Sequence, residues 1–206
     1  GQLFGREDRA ETLISFIESE TAEITHRAAG AADDDRPGAY ICGLGNWGTT
    51  NHLMTSQSYA AFRVANIRNV VTDLGTDAVQ AIEAEKFAAL GGSMDVMLID
   101  AAAVKNIAPL MQEDPTLLDT CKAWQTGEVY LEMAYNAYYT NYEIALANAW
   151  FAAKCVYPDL FTDVDMTAKT NEITKAFLGQ ELAEQIFACP SSFGGYQQID
   201  TASFFR

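Results

Sequence analysis

Residues Gly43-Leu44-Gly45-Asn46-Trp47-Gly48 follow a short apolar run and have the G-x-G-x-x-G spacing of a dinucleotide fingerprint. In that fingerprint the glycines let backbone approach a pyrophosphate where a helix opens, and an acid about 20 residues on holds the ribose. The next segment here, Thr49–Ser58 (TTNHLMTSQS), is polar and lacks a helical period, and the first acid after Gly48 is Asp73, 25 positions on. A nucleotide-dependent oxidoreductase built on Gly43, Gly45 and Gly48 is therefore the second reading. The first is a ligand-facing loop at the carboxyl end of a parallel strand, where open α/β sheets place their sites. A tight turn without function is the bland alternative.

His52 is the one histidine near this loop, and no second His, Cys or carboxylate stands at metal-ligand spacing from it. It reads as a hydrogen-bonding or merely exposed side chain. No G-x-S-x-G nucleophile elbow exists, and His26 falls on the polar face of a helix, so catalysis has no anchor. The expectation is a protein that is not an enzyme, with no cofactor and no metal site. The other unusual segment is Met133–Asn141 (MAYNAYYTN), where a strand runs out into three tyrosines and two asparagines. Rings combined with amides and hydroxyls suit a delocalised, partly polar ligand. Tyrosines that only pack on the domain would read the same way. With Trp47 and His52, the residues Tyr135, Asn136 and Tyr138 form the candidate ligand set.

These loops need a scaffold. Residues from about Arg6 to Ala29 place Leu13, Ile14, Ile17, Ala22 and Ile24 on one helical face. The polar run Ala31–Gly38, with Pro37, ends that helix, and Ala39–Gly43 reads as a buried strand. Tyr59–Asn66 is helical, Val79–Ala81 is extended, and Ala84–Leu90 is a helix closed by Gly91-Gly92. Asp95–Asp100 (DVMLID) is the clearest strand. A helix over Ala101–Gln112, a turn at Asp114-Pro115, a short helix to Ala123 and a strand over Glu128–Met133 follow. Thr140-Asn141-Tyr142-Glu143 has the form of a capping box and opens an alanine-rich helix to Val156. Asp165 caps Met166–Leu178, Gly179 ends it, Gln180–Phe187 is a further short helix, and the tail is irregular. Alternating strands and helices predict an α/β fold, a Rossmann-like three-layer lobe with a mainly parallel central sheet. The two candidate loops then share one sheet edge.

Composition sets the outer bounds. The chain has 206 residues, enough for one α/β core and short for two, and no apolar run reaches the ~18 residues of a spanning helix. A net charge of −15 repels phosphate backbones, so nucleic acid is not an expected partner; attraction to cations or a basic docking surface, or simply a solvated surface, fits the acidity. Cys42, Cys121, Cys155 and Cys189 are widely spaced, without a C-x-x-C pair; Cys42 and Cys155 sit in apolar runs and read as core. Gly1–Arg9 holds no signal-peptide pattern, so any export signal lies outside this chain.

Gly5–Glu11, Gly43–Ser56, Tyr59–Val70, Asp95–Asp100, Tyr135–Asn141 and Tyr157–Phe161, taken in order, resemble segments of the iron-complex, siderophore and cobalamin type of periplasmic binding protein, whose two Rossmann-like lobes are joined by one long helix. Gly5–Glu11 (GREDRAE) resembles the family's G-[KR]-E-D-R-A-E stretch and Tyr157–Phe161 its Y-P-E-x-F, while Gly43–Ser56 resembles the G-G-x-G-x-R-G-x-H-G-x-x-S-T loop of a subgroup, Tyr59–Val70 that subgroup's Y-P-P-F-x-x-V-N-A-R-N-V and Tyr135–Asn141 its Y-N-W-Y-T-T-N. Asp95–Asp100 falls where the family has P-D-V-I-F-x-D. The resemblance implies that 1–30 is the end of the interlobe helix and 38–206 the C-terminal lobe, with the N-terminal lobe absent from this chain. It implies an extracytoplasmic substrate-binding component of an ABC importer, periplasmic or a cell-surface lipoprotein. Its partners would be a small ligand and the permease, and its contact with the membrane only through a missing N-terminal anchor and that permease. The implied ligands are a ferric siderophore, haem, a corrinoid or a related small molecule such as an oxyanion. It also implies permease docking by a glutamate before the P-D-V-I strand, which places Glu85, with Glu83 as its rival, in that role. Trp47 stands where the subgroup pattern has Arg, Met94 where it has Pro and Ala137 where it has Trp. Loss of the Arg removes a bidentate donor for an anionic chelate.

Overall fold

The computed structural model describes residues 1–31, 36–45, 51–113, 116–136 and 139–205, and at 111–113 the backbone alone. The first long element, α1 (Glu7–Ala28), ends where the sequence places it, but its inward line runs through Leu13, Ile17, Glu20, Ile24 and Ala28. Ile14 and Ala22, expected on that face, are exposed. They sit one and two residues off the i, i+4 line that meets the rest of the protein, and at about 100° per residue that rotates them out. Glu20 takes a buried place because two donors meet it there. Its Oε2 accepts from Trp150 Nε1 at 2.7 Å and from Lys169 Nζ at 3.1 Å, while Lys169 Nζ lies 4.3 Å over the Trp150 ring.

The strands β1 (Gly38–Cys42) and β5 (Val96–Asp100) are buried at every position, which is why they read as unbroken apolar runs rather than alternating ones. With β3 (Arg68–Asn69), β6 (Val129–Glu132) and β7 (Gln197–Gln198) they form a five-stranded sheet in the order β3-β1-β5-β6-β7. Pairing is parallel except at β7, which runs antiparallel to β6 with Tyr130 opposite Gln198. The sequence reading leaves this tail irregular. Two glutamines that fill only the sheet's edge have no apolar alternation to declare them. A separate antiparallel pair joins β2 (Met54–Thr55) to β4 (Gln80–Ala81).

Helices cover both faces of the sheet, giving the three layers. On one side α1, α2 (Ala60–Val64), α6 (Tyr142–Val156) and α7 (Met166–Leu178) bury Ile24, Phe62, Trp150 and Ile173 against Ile41 and Leu98. On the other, α3 (Ala84–Leu90), α4 (Val104–Glu113) and α5 (Lys122–Thr126) bury Phe87, Ile107 and Trp124 against Met97 and Ile99. The short helix α8 (Ala183–Phe187) lies against α7. Among the alanines of α6, Ala147, Ala149, Ala152 and Ala153 are buried and let α2 and α7 come close.

Helix ends agree in part. Asp165 caps α7, its Oδ1 accepting from Ala168 N at 2.7 Å, and Gly179 closes it in the left-handed region at φ 77°. The Thr140–Glu143 capping box does not form. The cap residue of α6 is Asn141, whose side chain makes no capping bond. Thr140 is instead drawn back into a bridge with Asn136, and Asn141 N donates to Tyr135 O at 2.8 Å, so the loop itself moves the helix start along by one residue. Gly91-Gly92 does not close α3 with a left-handed turn either: Gly91 is right-handed, at φ −52°, and the chain continues into a 3-10 turn over Gly91–Ser93. The glycine is needed there because a Cβ would lie 2.3 Å from the Thr120 carbonyl oxygen. The turn expected at Asp114-Pro115 lies outside the described residues.

Candidate ligand-binding face

Three parallel strands deliver their carboxyl ends side by side. Cys42 of β1 stands opposite Ile99 of β5, and Asp100 of β5 opposite Glu132 of β6. The chain leaving β1 turns at Gly43, in the left-handed region at φ 82°, and comes down on the turn that follows β5. A Cβ on Gly43 would lie 2.1 Å from Ala103 Cβ, and one on Gly45 would lie 2.6 Å from Asn136 O. The glycines therefore serve close packing of the three loops. From Asn51 the described chain makes a turn and enters β2, so among the described residues the loop is not followed by the helix that a dinucleotide fingerprint requires.

The sequence-derived candidates separate. Asn136 Nδ2 donates to Gly45 O at 3.1 Å, joining the β1 and β6 loops at one sheet edge as expected. Tyr135 is half-buried and its ring lies 6.1 Å from that of Tyr59, at 44°. His52 is drawn toward the opposite core: its ring meets Phe87 edge-on at 6.1 Å, and its carbonyl accepts from Tyr40 Oη at 3.1 Å. That makes it a support of the loop. Trp47 and Tyr138 lie outside the described residues. Glu83 is the cap residue of α3 and Glu85 lies in its first turn; both are exposed, directly after β4.

Sequence reasoning missed what lies beneath. Asp100 and Glu132 are both wholly buried at the ends of their strands. Glu132 Oε1 accepts from Tyr59 Oη at 2.5 Å and Asn148 Nδ2 at 3.3 Å; Asp100 Oδ1 accepts from Ala102 N at 2.8 Å. Their second oxygens, Glu132 Oε2 and Asp100 Oδ2, are buried with no partner. Among the described residues no cation pairs with either. Burial pushes the Asp100 carboxyl up to about 7 and holds Glu132 well above the usual carboxylate range, with the Asp100 charge adding to the effect. A signal existed in each case, an acid closing an otherwise apolar strand. Tyr139 and Tyr142 are two further aromatic side chains exposed beside the face.

Among the described residues no group of three His, Cys, Asp or Glu could hold a metal, and no helix is long and apolar enough to cross a membrane. The four cysteines are free, with Cys42, Cys121 and Cys155 buried and Cys189 exposed. Burial raises the Cys42 thiol far above its usual range and Cys121 to about 11, which disfavours the thiolate of both near neutral pH.

A family model described as periplasmic binding protein matches residues 1–133. No curated relative matches the sequence. Among solved structures, an ABC transporter solute binding protein from Sulfurospirillum deleyianum superposes with a TM-score of 0.68 at 18% identity, over 91% of this chain and 57% of its own. The molybdate periplasmic binding protein MolA of Haemophilus influenzae, bound to molybdate, gives 0.62 at 18% identity, over 83% and 51%. A periplasmic heme binding protein from Pseudomonas aeruginosa gives 0.55 at 18% identity, over 77% and 56%. The chain thus spans just over half the length of these proteins, and the likeness is one of fold.

Proposed function

This chain belongs to the periplasmic binding protein family, and we propose that it acts as one lobe of the substrate-binding component of an ABC importer, outside the cytoplasm, without catalysing a reaction. The observation that carries this reading is the interlocked face at the carboxyl ends of β1, β5 and β6, where Gly43, Gly45 and Asn136 bring loops from separate strands into contact. Backbone carbonyls, amide groups and tyrosine rings gathered on a rigid sheet edge fit recognition of a small ligand better than chemistry. In this reading α1 is the end of a helix from a second lobe, and 38–206 is the C-terminal lobe. The ligand is a metal chelate, such as a ferric siderophore, haem or corrinoid, or an oxyanion, held between the lobes by Trp47, Tyr135, Asn136 and Tyr138, with His52 supporting from behind.

Colour and metal content of the natural full-length protein, purified from its host, separate these ligands, because iron chelates and corrinoids absorb visibly. Full-length protein is expected to bind haem, cobalamin, molybdate or a ferric siderophore far more tightly than residues 1–206 alone, since a cleft that covers most of a ligand needs both walls. Equal affinities by calorimetry would remove the cleft. In the full-length protein Tyr135→Ala is expected to weaken binding by about 1–3 kcal/mol, the worth of an aromatic contact that both covers area and stacks.

The permease is the second partner in this proposal, docking on the exposed glutamates at the start of α3. Reversing Glu85 and Glu83 together to arginine is expected to cut uptake in cells while ligand affinity and melting temperature hold, because interface charges act on docking. Uptake that survives the double reversal places docking elsewhere.

A further inference from the structure

Asp100 and Glu132 are register partners on adjacent parallel strands, so their side chains leave the same face of the sheet about 5 Å apart at the backbone. That face is the one covered by α6, where Tyr59 and Asn148 reach Glu132. Each carboxyl has one oxygen satisfied and one buried without a partner. Two orphaned acceptors in a protein interior are costly, whereas a single O–H between them satisfies both. Among the described residues no protonated base takes that role. The titratable groups that bear on the pair are Tyr59, Tyr135 and Tyr196 around Glu132, Cys155 of α6, and Cys42 of β1 near Asp100; burial keeps all five neutral.

The pair also touches the ligand face through a short chain of contacts. Glu132 holds the Tyr59 hydroxyl, the Tyr59 ring packs at a tilt beside the Tyr135 ring with centroids 6.1 Å apart, and the Tyr135 carbonyl fixes the start of α6 through Asn141 N. Asp100 holds the turn on which Gly45 rests, through Ala102 N, and a Cβ on Gly45 would lie 3.9 Å from Ala102 Cβ.

We infer that Asp100 and Glu132 hold a proton between their partnerless oxygens, and that Glu132, acting through Tyr59, is a positioning residue for Tyr135, so that the set of the ligand face follows the protonation of the pair. The pair's first ionisation takes it from two protons to the one shared between Asp100 and Glu132, so part of the new negative charge falls on Glu132 and strengthens the Tyr59 bond, because a charged acceptor binds a hydroxyl more strongly than a neutral one. Tyr59 then carries Tyr135 with it. This inference rests on the face described above for its biological meaning, but its test needs no ligand.

The test uses natural full-length protein labelled with 3-fluorotyrosine, with the Tyr135 signal assigned by its loss in Tyr135→Phe. Its fluorine resonance is followed between about pH 5 and about pH 9. The expected result is a step in the Tyr135 signal centred near pH 7, where the pair takes its first charge. Glu132→Gln keeps an acceptor for Tyr59 and offers an N–H to Asp100 in place of the proton, so it is expected to fold and to lose at least nine-tenths of the step. Asp100→Asn is expected to do the same from the other side. A purely structural carboxyl would leave the profile unmoved by Glu132→Gln. A flat Tyr135 signal in the unsubstituted protein, or an unchanged step in both variants, overturns the inference. A normal step in a protein that binds no small ligand retires the importer reading and leaves the positioning pair standing.

Discussion

Replacing Asp100 by asparagine is expected to raise stability by about 2–4 kcal/mol at about pH 8 and to change it little at about pH 4. The sign follows from where the proton sits. In the unfolded chain Asp100 ionises near its ordinary value of 3.8, whereas in the folded protein burial holds it protonated to about 7. Below the lower value both states are protonated and no penalty exists. Between the two, the unfolded state releases a proton that the folded state keeps, so stability falls steadily as pH rises, and above the upper value the loss is complete. Roughly three units of difference set a ceiling of about 4 kcal/mol, and relaxation around the buried charge lowers it. Asparagine keeps the acceptor for Ala102 N and cannot ionise, so it removes the fall. Urea unfolding at the two pH values measures this. A variant that is no more stable than the parent at the higher pH would show that Asp100 is solvated or ion-paired in solution.

The second large effect belongs to Gly43. Gly43→Ala is expected to cost about 2–5 kcal/mol and to abolish the ligand binding proposed for the full-length protein. Part of this, roughly 1–2 kcal/mol, comes from placing a side chain at φ 82°. The rest comes from overlap, because the new methyl would lie 2.1 Å from Ala103 Cβ, and opening that contact moves the β1 loop off the turn after β5 at a cost of about 1–3 kcal/mol. Gly179→Ala separates the two contributions. It shares the left-handed backbone, at φ 77°, but its Cβ would meet nothing within 4 Å, so only the smaller cost is expected. Equal losses in denaturant unfolding would mean that the packing of loop on turn contributes little, and the face would then be looser than its contacts indicate.

Much of the scaffold was legible from residue order alone, because local physics sets it. Asp95–Asp100 reads as a strand since burial on both sides demands a continuous apolar run, and β5 is found there. Asp165 and Gly179 mark the ends of α7 through bonds made within a turn of the backbone. The fold class follows from the alternation of such elements, and the meeting of the Gly43 and Tyr135 loops follows from their both leaving the carboxyl ends of parallel strands. What the sequence left open depends on atoms far apart in the chain. Thr140–Glu143 has the form of a cap, yet a bridge from Asn136 overrides it, and the edge strand β7 exists only because β6 offers it unpaired backbone groups. His52 could not be assigned to core or surface until Phe87, 35 positions on, was beside it. The acids at the ends of two apolar strands are each visible in the sequence, but their relation is not. Only the parallel register of β5 and β6 puts Asp100 beside Glu132, and only the helices above them shut out the water and cations that would otherwise make them two ordinary carboxylates.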